Sequence, residues 1–270
     1  MPTDLTQEIT VAVAAAREAG ATALSMQSGA VERTKGDGSP VSDADLAADA
    51  VIRHHLTTYF PEDAILSEEI PDDRRRLSNR RVWIIDPIDG TRDYLAGAGG
   101  WAVQIALAID GELALGVVDI PAEGVCVSGL PGIGGTVRDA AGERALERIA
   151  RSANVLITSA SKRNHEAVAR VRAALPEFST MRATSVGVKA WRMLCGQADL
   201  YVHPRPISEW DVAAPAALML AAGGCASDLG GRAFRFNTPA GSCPGLVFST
   251  RPDHALMVER LRVSGVVLAP

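Results

Sequence analysis

Residues 82–91, VWIIDPIDGT, restrict the fold more than any other stretch of this chain. Residues 82–85 are an apolar run rich in β-favouring side chains, the pattern of a strand buried on both faces. The run ends in Asp86. Pro87 has no N–H to donate to a ladder, so the strand is expected to stop there and the chain to turn. Such a turn aims Asp86 and Asp89 at the same end of a sheet, with the Ile88 carbonyl as a third oxygen. Gly90 and Thr91 then open a short helical turn, Thr91 to Leu95, whose first N–H groups form an anion cradle. Oxygen ligands beside an anion cradle suit a hard divalent cation, magnesium first, bridging to phosphate. The same residues also fit a plain turn with Asp89 as a helix cap.

Further acids stand elsewhere in the chain. AILSEE, 64–69, reads as a short strand ending in Glu68 and Glu69. Adjacent strand residues point to opposite faces, so only one of the two is expected to join Asp86 and Asp89. Ionised carboxylates ~4 Å apart at an effective dielectric of ~20 repel by about 4 kcal/mol per pair, so a cluster of this kind separates or holds a cation. Ser42 and Asp45, three apart, fit a variant of the capping box at the start of a helix running to about residue 60. Asp211 precedes an alanine-rich helix that ends at Gly223-Gly224. It reads as an acid at a helix start, with Trp210 as a packing anchor and Pro215 accommodated near the first turn.

The remaining pattern sets the architecture. Residues 4–28 have helical spacing, 33–43 read as a loop or hairpin, and Asp110-Gly111 between 102–109 and 112–120 is a strong hairpin signal. Strands near 155–159, 199–203 and 245–249 alternate with helices near 163–175, 187–197 and 211–222. A glycine-rich dip over 129–143 is the best boundary, dividing 1–142 from 143–270. Helices mixed with hairpins and crossovers indicate a layered α+β fold with two sheets.

Composition excludes several functions. A net charge of -5 gives no long-range attraction to nucleic acid or an anionic membrane. RRRLSNRR, 74–81, lacks interleaved aromatics and reads as a solvated loop rather than a nucleic-acid patch. No apolar stretch reaches ~18 residues and no signal peptide is evident, so a cytoplasmic location is expected. Cys126, Cys195, Cys225 and Cys243 form no CxxC pair, and buried free thiols are expected.

TKGDGSPVSDAD (34–45), SEE (67–69), WIIDPIDGT (83–91) and EWDVAAPAALMLAAGG (209–224) together resemble the inositol monophosphatase-like superfamily of metal-dependent phosphatases, in order and in spacing. SEE, the EWD form of the second motif, GWAVQIALAIDGELALGVVDIPAEG and LGGRAFRFN look like the bacterial 3'-phosphoadenosine 5'-phosphate phosphatases of the CysQ type.

The resemblance implies a five-layer αβαβα sandwich, two or three magnesium ions, a small phosphorylated substrate, inhibition by lithium and a place in sulfur assimilation; relatives often form homodimers. It implies Glu68, Asp86, the Ile88 carbonyl, Asp89 and Asp211 as metal ligands. Asp45, Glu68 and Thr91 are the implied catalytic groups, and Gly90 and Thr91 the donors to phosphate. Ser185, Lys189, His203, Arg205 and Asp211 are the expected substrate contacts. Val186 and His203 stand where some nucleotidases carry serine and arginine, and Arg205 is the alternative source of positive charge. The expected reaction is removal of the 3'-phosphate from adenosine 3',5'-bisphosphate by an activated water. The alternatives are an inositol 1-phosphate, fructose 1,6-bisphosphate or histidinol phosphate substrate, or a catalytically inactive cation-binding protein.

Overall fold

The computed structural model describes residues 4–34, 40–147, 154–160 and 165–266. The middle of the expected 33–43 hairpin and the first two residues of the expected 163–175 helix lie outside them. The chain opens with α1 (Thr6–Met26), a small antiparallel pair β1 (Arg33–Thr34) and β2 (Pro40–Val41), and α2 (Asp43–Tyr59). There follow β3 (Ala64–Ser67), a 3-10 turn (Arg75–Ser78), β4 (Arg81–Asp89), α3 (Thr91–Leu95), β5 (Ala102–Ile109), β6 (Glu112–Ile120), β7 (Val125–Leu130), β8 (Gly134–Asp139) and β9 (Gly142–Ala145). The later part runs β10 (Val155–Ser159), α4 (His165–Ala174), β11 (Ser179–Ala183), α5 (Val186–Leu194), β12 (Leu200–His203), β13 (Ile207–Ser208), α6 (Glu209–Ala221), β14 (Cys225–Ser227), β15 (Ser242–Cys243), β16 (Leu246–Ser249) and α7 (His254–Val263).

Strand alternation builds the layers. β3 to β9 form one seven-stranded sheet in sequence order; β11, β10, β12, β16 and β14 form a second of five. On β4, Trp83 and Ile85 face the alanine-lined helices α1 and α2, while Val82 and Ile84 face the opposite core with α5 and α6. On β12, Tyr201 joins that central core, whereas Leu200 and Val202 face α4 and α7. The order is therefore helix, sheet, helix, sheet, helix, the expected five-layer α+β sandwich. Buried alanines at 12, 15, 16, 19 and 23 of α1 let α2 approach closely through Ala44 and Ala48. The β5–β6 turn has φ of 52° at Asp110 and 81° at Gly111, as a two-residue hairpin requires.

Several local expectations are revised. β4 does not end at Asp86: Asp86 pairs with Gln104 and Asp89 with Ala102, across a register shift. Pro87 and Ile88 form a bulge, which absorbs the missing N–H without ending the strand. β3 stops at Ser67, so Glu68 and Glu69 lie in a turn and the two-face rule does not govern them. Residues 129–143 are strands of the first sheet, and their glycines and proline mark hairpin turns rather than a link. Arg76 in the basic run is buried, while Cys195 is exposed. β11 carries the polar sequence STMRA on a sheet edge, so no apolar alternation announced it. Among the described residues, no helix is long and apolar enough to cross a membrane.

Helix α6 lies against β6 so closely that a Cβ on Gly116 would stand 2.6 Å from the Ala214 carbonyl and 2.7 Å from the Ala217 Cβ. Backbone cannot yield as a flexible side chain can. Gly116→Ala is expected to cost about 1–3 kcal/mol by overpacking, measured by urea denaturation; unchanged stability would contradict this packing.

Candidate active site

The β4 bulge supplies two of the site acids. Asp86 Oδ1 accepts a hydrogen bond from the Ile88 N–H at 3.1 Å, which closes the bulge locally. Asp89 is buried and turns Oδ2 toward α5, where Ser185 Oγ donates at 2.6 Å and the Gly187 N–H at 2.9 Å. Asp211 comes from the other direction, in the first turn of α6 after the N-cap Ser208. Asp86, Asp89 and Asp211 each offer an oxygen, and these oxygens all lie within 4.8 Å of one another. Among the described residues this is the one such group of three acidic, histidine or cysteine side chains.

Electrostatics mark the three as strained together. Burial raises the pKa of Asp86 well above the ordinary carboxylate value, and the charges of Glu68, Asp89, Asp211 and Glu69 raise it further. Asp211 is raised in the same way by burial, Asp89 and Glu68, against the opposing pull of Lys189. Burial also raises Asp89, less far, because Lys189, Ser185 and the α5 N–H groups favour its anion. Oxygen donors alone, buried and mutually repelling, fit a hard divalent cation. Glu68 lies close enough for its charge to act on Asp86 and Asp211, though it stands outside the 4.8 Å group.

A second cluster sits beside the bulge. Asp45 is residue N3 of α2, and its Oδ2 accepts from the Ser42 N–H and hydroxyl, each at 2.7 Å. Thr91 Oγ1 reaches Asp45 Oδ1 at 3.3 Å and the Ile88 carbonyl at 3.1 Å. Capping and site geometry therefore coexist in one carboxylate. Thr91 has one proton to donate; directed to Asp45, it leaves the Ile88 carbonyl free to accept from or ligate another partner. Gly90, with φ 102°, turns the chain from β4 into α3.

A cleft of 520 Å³ opens next to the acids, lined at one end by Asp89 and Asp211. Thr184, Val186, Lys189, Tyr201 and His203 form one stretch of wall; Ser159, Ile207, Ser208 and Ser242 contribute to the rest. Lys189 is 1% exposed, and its Nζ donates to the Thr184 and Ser185 carbonyls and stands 4.9 Å from the Tyr201 ring centre. Burial brings its pKa down to about 8, against the pull of Asp89 and Asp211. His203 is brought down to about 4 by burial and by the charges of Lys189 and Arg205, so it is neutral at pH 7.

Two expected substrate contacts do not line the cleft. Ser185 is the N-cap of α5; its hydroxyl donates to Asp89 and accepts from the Val188 N–H at 3.0 Å, which leaves it fully buried. Arg205 is exposed, and its charge acts on His203. Thr184, Ser159 and Ser242 in the wall escaped the sequence reading, since an isolated hydroxyl residue has no pattern. Glu209 escaped it too, although EWD sets it two residues before Asp211.

The profile of the inositol monophosphatase family matches residues 4–262. A 3'-phosphoadenosine 5'-phosphate phosphatase of Mycobacterium bovis is 37% identical over 199 residues, covering 72% of this chain and 71% of its own. The 3'(2'),5'-bisphosphate nucleotidase CysQ of Escherichia coli (strain K12) is 35% identical over 202 residues, covering 74% and 80%. The fold is shared with the IMPase of Thermotoga maritima, at TM-score 0.80 and 23% identity over 96% of this chain and 98% of that one.

A carboxyl whose folded pKa is raised keeps a proton that the unfolded chain gives up near pH 4. Its stabilising contribution is full below that value and is lost as pH rises through the folded pKa. At pH 7 in chelator, Asp86→Asn is therefore expected to raise Tm by about 2–4 °C and to reduce the stabilisation that added Mn²⁺ gives. Calorimetric melting checks this; a lower Tm in chelator would contradict the repulsion.

Proposed function

Because this chain belongs to the inositol monophosphatase family, we propose that it is a metal-dependent phosphomonoesterase that removes the 3'-phosphate of adenosine 3',5'-bisphosphate, giving AMP and phosphate. The observation that carries the reading is the convergence of Asp86, Asp89 and Asp211, from two different sheets' surroundings, at the end of a cleft large enough for a nucleotide. The likeness to relatives named for this reaction supports the substrate.

Asp86, Asp89, Asp211, Glu68 and the Ile88 carbonyl are the residues that hold the cations, which we assign as magnesium. Bound there, the cations supply positive charge to the phosphoryl oxygens and acidify water. The chain's own work is orientation and proton movement. Thr91 Oγ1 accepts a hydrogen bond from the attacking water while donating to Asp45 Oδ1. As the water attacks phosphorus, the bond from phosphorus to O3' of the nucleotide breaks. The proton of the attacking water passes to Thr91 and that of Thr91 to Asp45, while the leaving O3' takes a proton from solvent water to give the hydroxyl of AMP. The two Ser42 donors fix Asp45 on its other oxygen, so Oδ1 stays aimed at Thr91. The first N–H groups after Gly90 hold the phosphate. Ser185 and Gly187 favour the anion of Asp89 and hold it in place, which makes Ser185 a support of the site rather than a substrate contact. Lys189 and His203 face the nucleotide, with the charge of Arg205 behind them. Pairing of two chains belongs to the same reading and is measured by the mass of the particle in solution.

One feature of the wall favours a substrate with a single phosphate, such as inositol 1-phosphate: its histidine is neutral and its lysine is already engaged. Phosphate release across a panel decides. The expected result is a kcat/KM for adenosine 3',5'-bisphosphate at least tenfold above that for inositol 1-phosphate, about 1.4 kcal/mol of discrimination. The reverse order would replace the substrate and leave the chemistry standing. Thr91→Ala is expected to lower kcat by about 10²–10⁴ with little change in KM; full activity would remove Thr91 and Asp45 from the mechanism.

A further inference from the structure

Glu68 and Asp211 come from segments with no covalent reason to keep step. Glu68 begins the loop after β3, and Asp211 lies in the first turn of α6. A run of part-buried polar contacts joins the loop that follows Glu68 to the start of α6, beginning at Arg76. Arg76, in the 3-10 turn of the Glu68 loop, is 2% exposed. Its Nε and Nη2 grip both oxygens of Asp72, at 3.1 and 2.7 Å. Its Nη1 donates to Asn237 Oδ1 at 2.8 Å and its Nη2 to the Thr238 carbonyl at 3.0 Å. Asn237 Nδ2 answers by donating to the Arg76 carbonyl at 3.0 Å.

The run continues into α6. Asn237 has φ 57°, and the N–H groups of Asn237 and Thr238 both donate to Glu209, at 2.8 and 2.9 Å. The Thr238 hydroxyl adds a third donor at 2.5 Å. Glu209 is fully buried and is the first residue of α6, two before Asp211. Both carboxylate oxygens are bonded to this one loop. The loop is also tied to the first sheet, by the Phe236 N–H to the Gly111 carbonyl at 3.0 Å and by Arg235 to Glu112 at 2.8 Å.

A buried cation and a buried anion add little net stability over an apolar pair of the same shape, because desolvation offsets their attraction. What they do provide is fixed geometry: a fork with bidentate and directional bonds has few alternative arrangements. The geometry fixed here is the offset between the Glu68 loop and the start of α6. We propose that Arg76, acting through Asn237 and Glu209, is a positioning residue that sets the separation of Glu68 and Asp211, and with it the affinity of the site for its divalent cation. The proposal rests on the reading that these acids hold a cation.

Arg76→Met, Arg76→Lys and Asn237→Ala are to be titrated with Mn²⁺ as metal-free proteins by calorimetry, beside the unaltered chain and Leu261→Ala. Arg76→Met is expected to bind Mn²⁺ about tenfold more weakly, the scale of losing an outer support of a metal site. Asn237→Ala should weaken binding by less, and Arg76→Lys should recover part of the loss. Leu261→Ala, destabilised in the outer core beneath α7 and away from α6, keeps the parent affinity, which separates positioning from stability. Saturating metal restores kcat in Arg76→Met with substrate KM within about twofold. Parent-like affinity in Arg76→Met overturns the proposal, and if that variant does not fold, parent-like affinity in Asn237→Ala does so. If the unaltered chain itself binds no Mn²⁺, the cation reading fails and this proposal falls with it; binding by the parent with no change in the variants sinks the positioning role alone.

Discussion

Mutual repulsion among buried carboxylates governs much of this molecule. Oxygens within 4.8 Å of one another, at an effective dielectric of ~20, repel by about 3–4 kcal/mol per pair. Three pairs sum to about 10 kcal/mol, comparable with the whole stability of an ordinary domain. The fold cannot carry that load with all three ionised and nothing between them. The raised pKa values of Asp86 and Asp211 are one escape, by taking up protons; a divalent cation is the other. Lys189, already engaged with two carbonyls, offsets only part of the charge.

That load explains why the supporting structure is so rigid. α6 is buried along most of its length between the two sheets, from Val212 to Met219, so Asp211 cannot drift away from its neighbours. Pro215, inside α6, has no N–H for the Asp211 carbonyl four residues earlier, yet packing on both sides holds the helix. On the other side, Asp89 spends one oxygen on the N-terminus of α5. Two helices of the central layer thus bind the acids of one sheet to the other half of the chain. The acids meet because the central layer is shared, and each of its helices presents its N-terminus at the same end.

The sequence displayed most of this, but unevenly. β4 was legible because apolar residues alternate between two cores, and the Asp110-Gly111 hairpin because its turn accepts few other residues. Asp86, Asp89 and Asp211 stood out because carboxylates at an abrupt strand end and a helix start need a reason. The bulge was not legible: Pro87 announces a break in a ladder but not whether the ladder resumes. Ser185 was misread for a related cause. A hydroxyl near a site suits a ligand or a helix cap equally well, and only tertiary structure shows it donating its hydrogen bond to Asp89. Arg76 looked like surface because seven neighbours in RRRLSNRR give no hint that a loop 160 residues later closes over one guanidinium. Non-local polar contacts leave no period in a sequence.

The same logic bears on how the cleft selects. A charged histidine in the wall would attract a second phosphate outright, but His203 is kept neutral by burial and by two nearby cations. Its role toward an anion is then a hydrogen bond, with the Tyr201 hydroxyl 3.4 Å from Nδ1 as a candidate to fix the tautomer. On the proposed function, selection falls instead to Lys189, Thr184 and the serines that line the cleft, groups that reward a hydroxyl or phosphate oxygen only at set places. A site built in that way rejects substrates lacking the matching oxygen more strongly than it rejects those of slightly different size, because an unmatched buried donor loses its water without gaining a partner. On the proposed function, charge brings the reacting phosphate to the acids, and Lys189 with the hydroxyl groups of the wall decides which molecule carries it there.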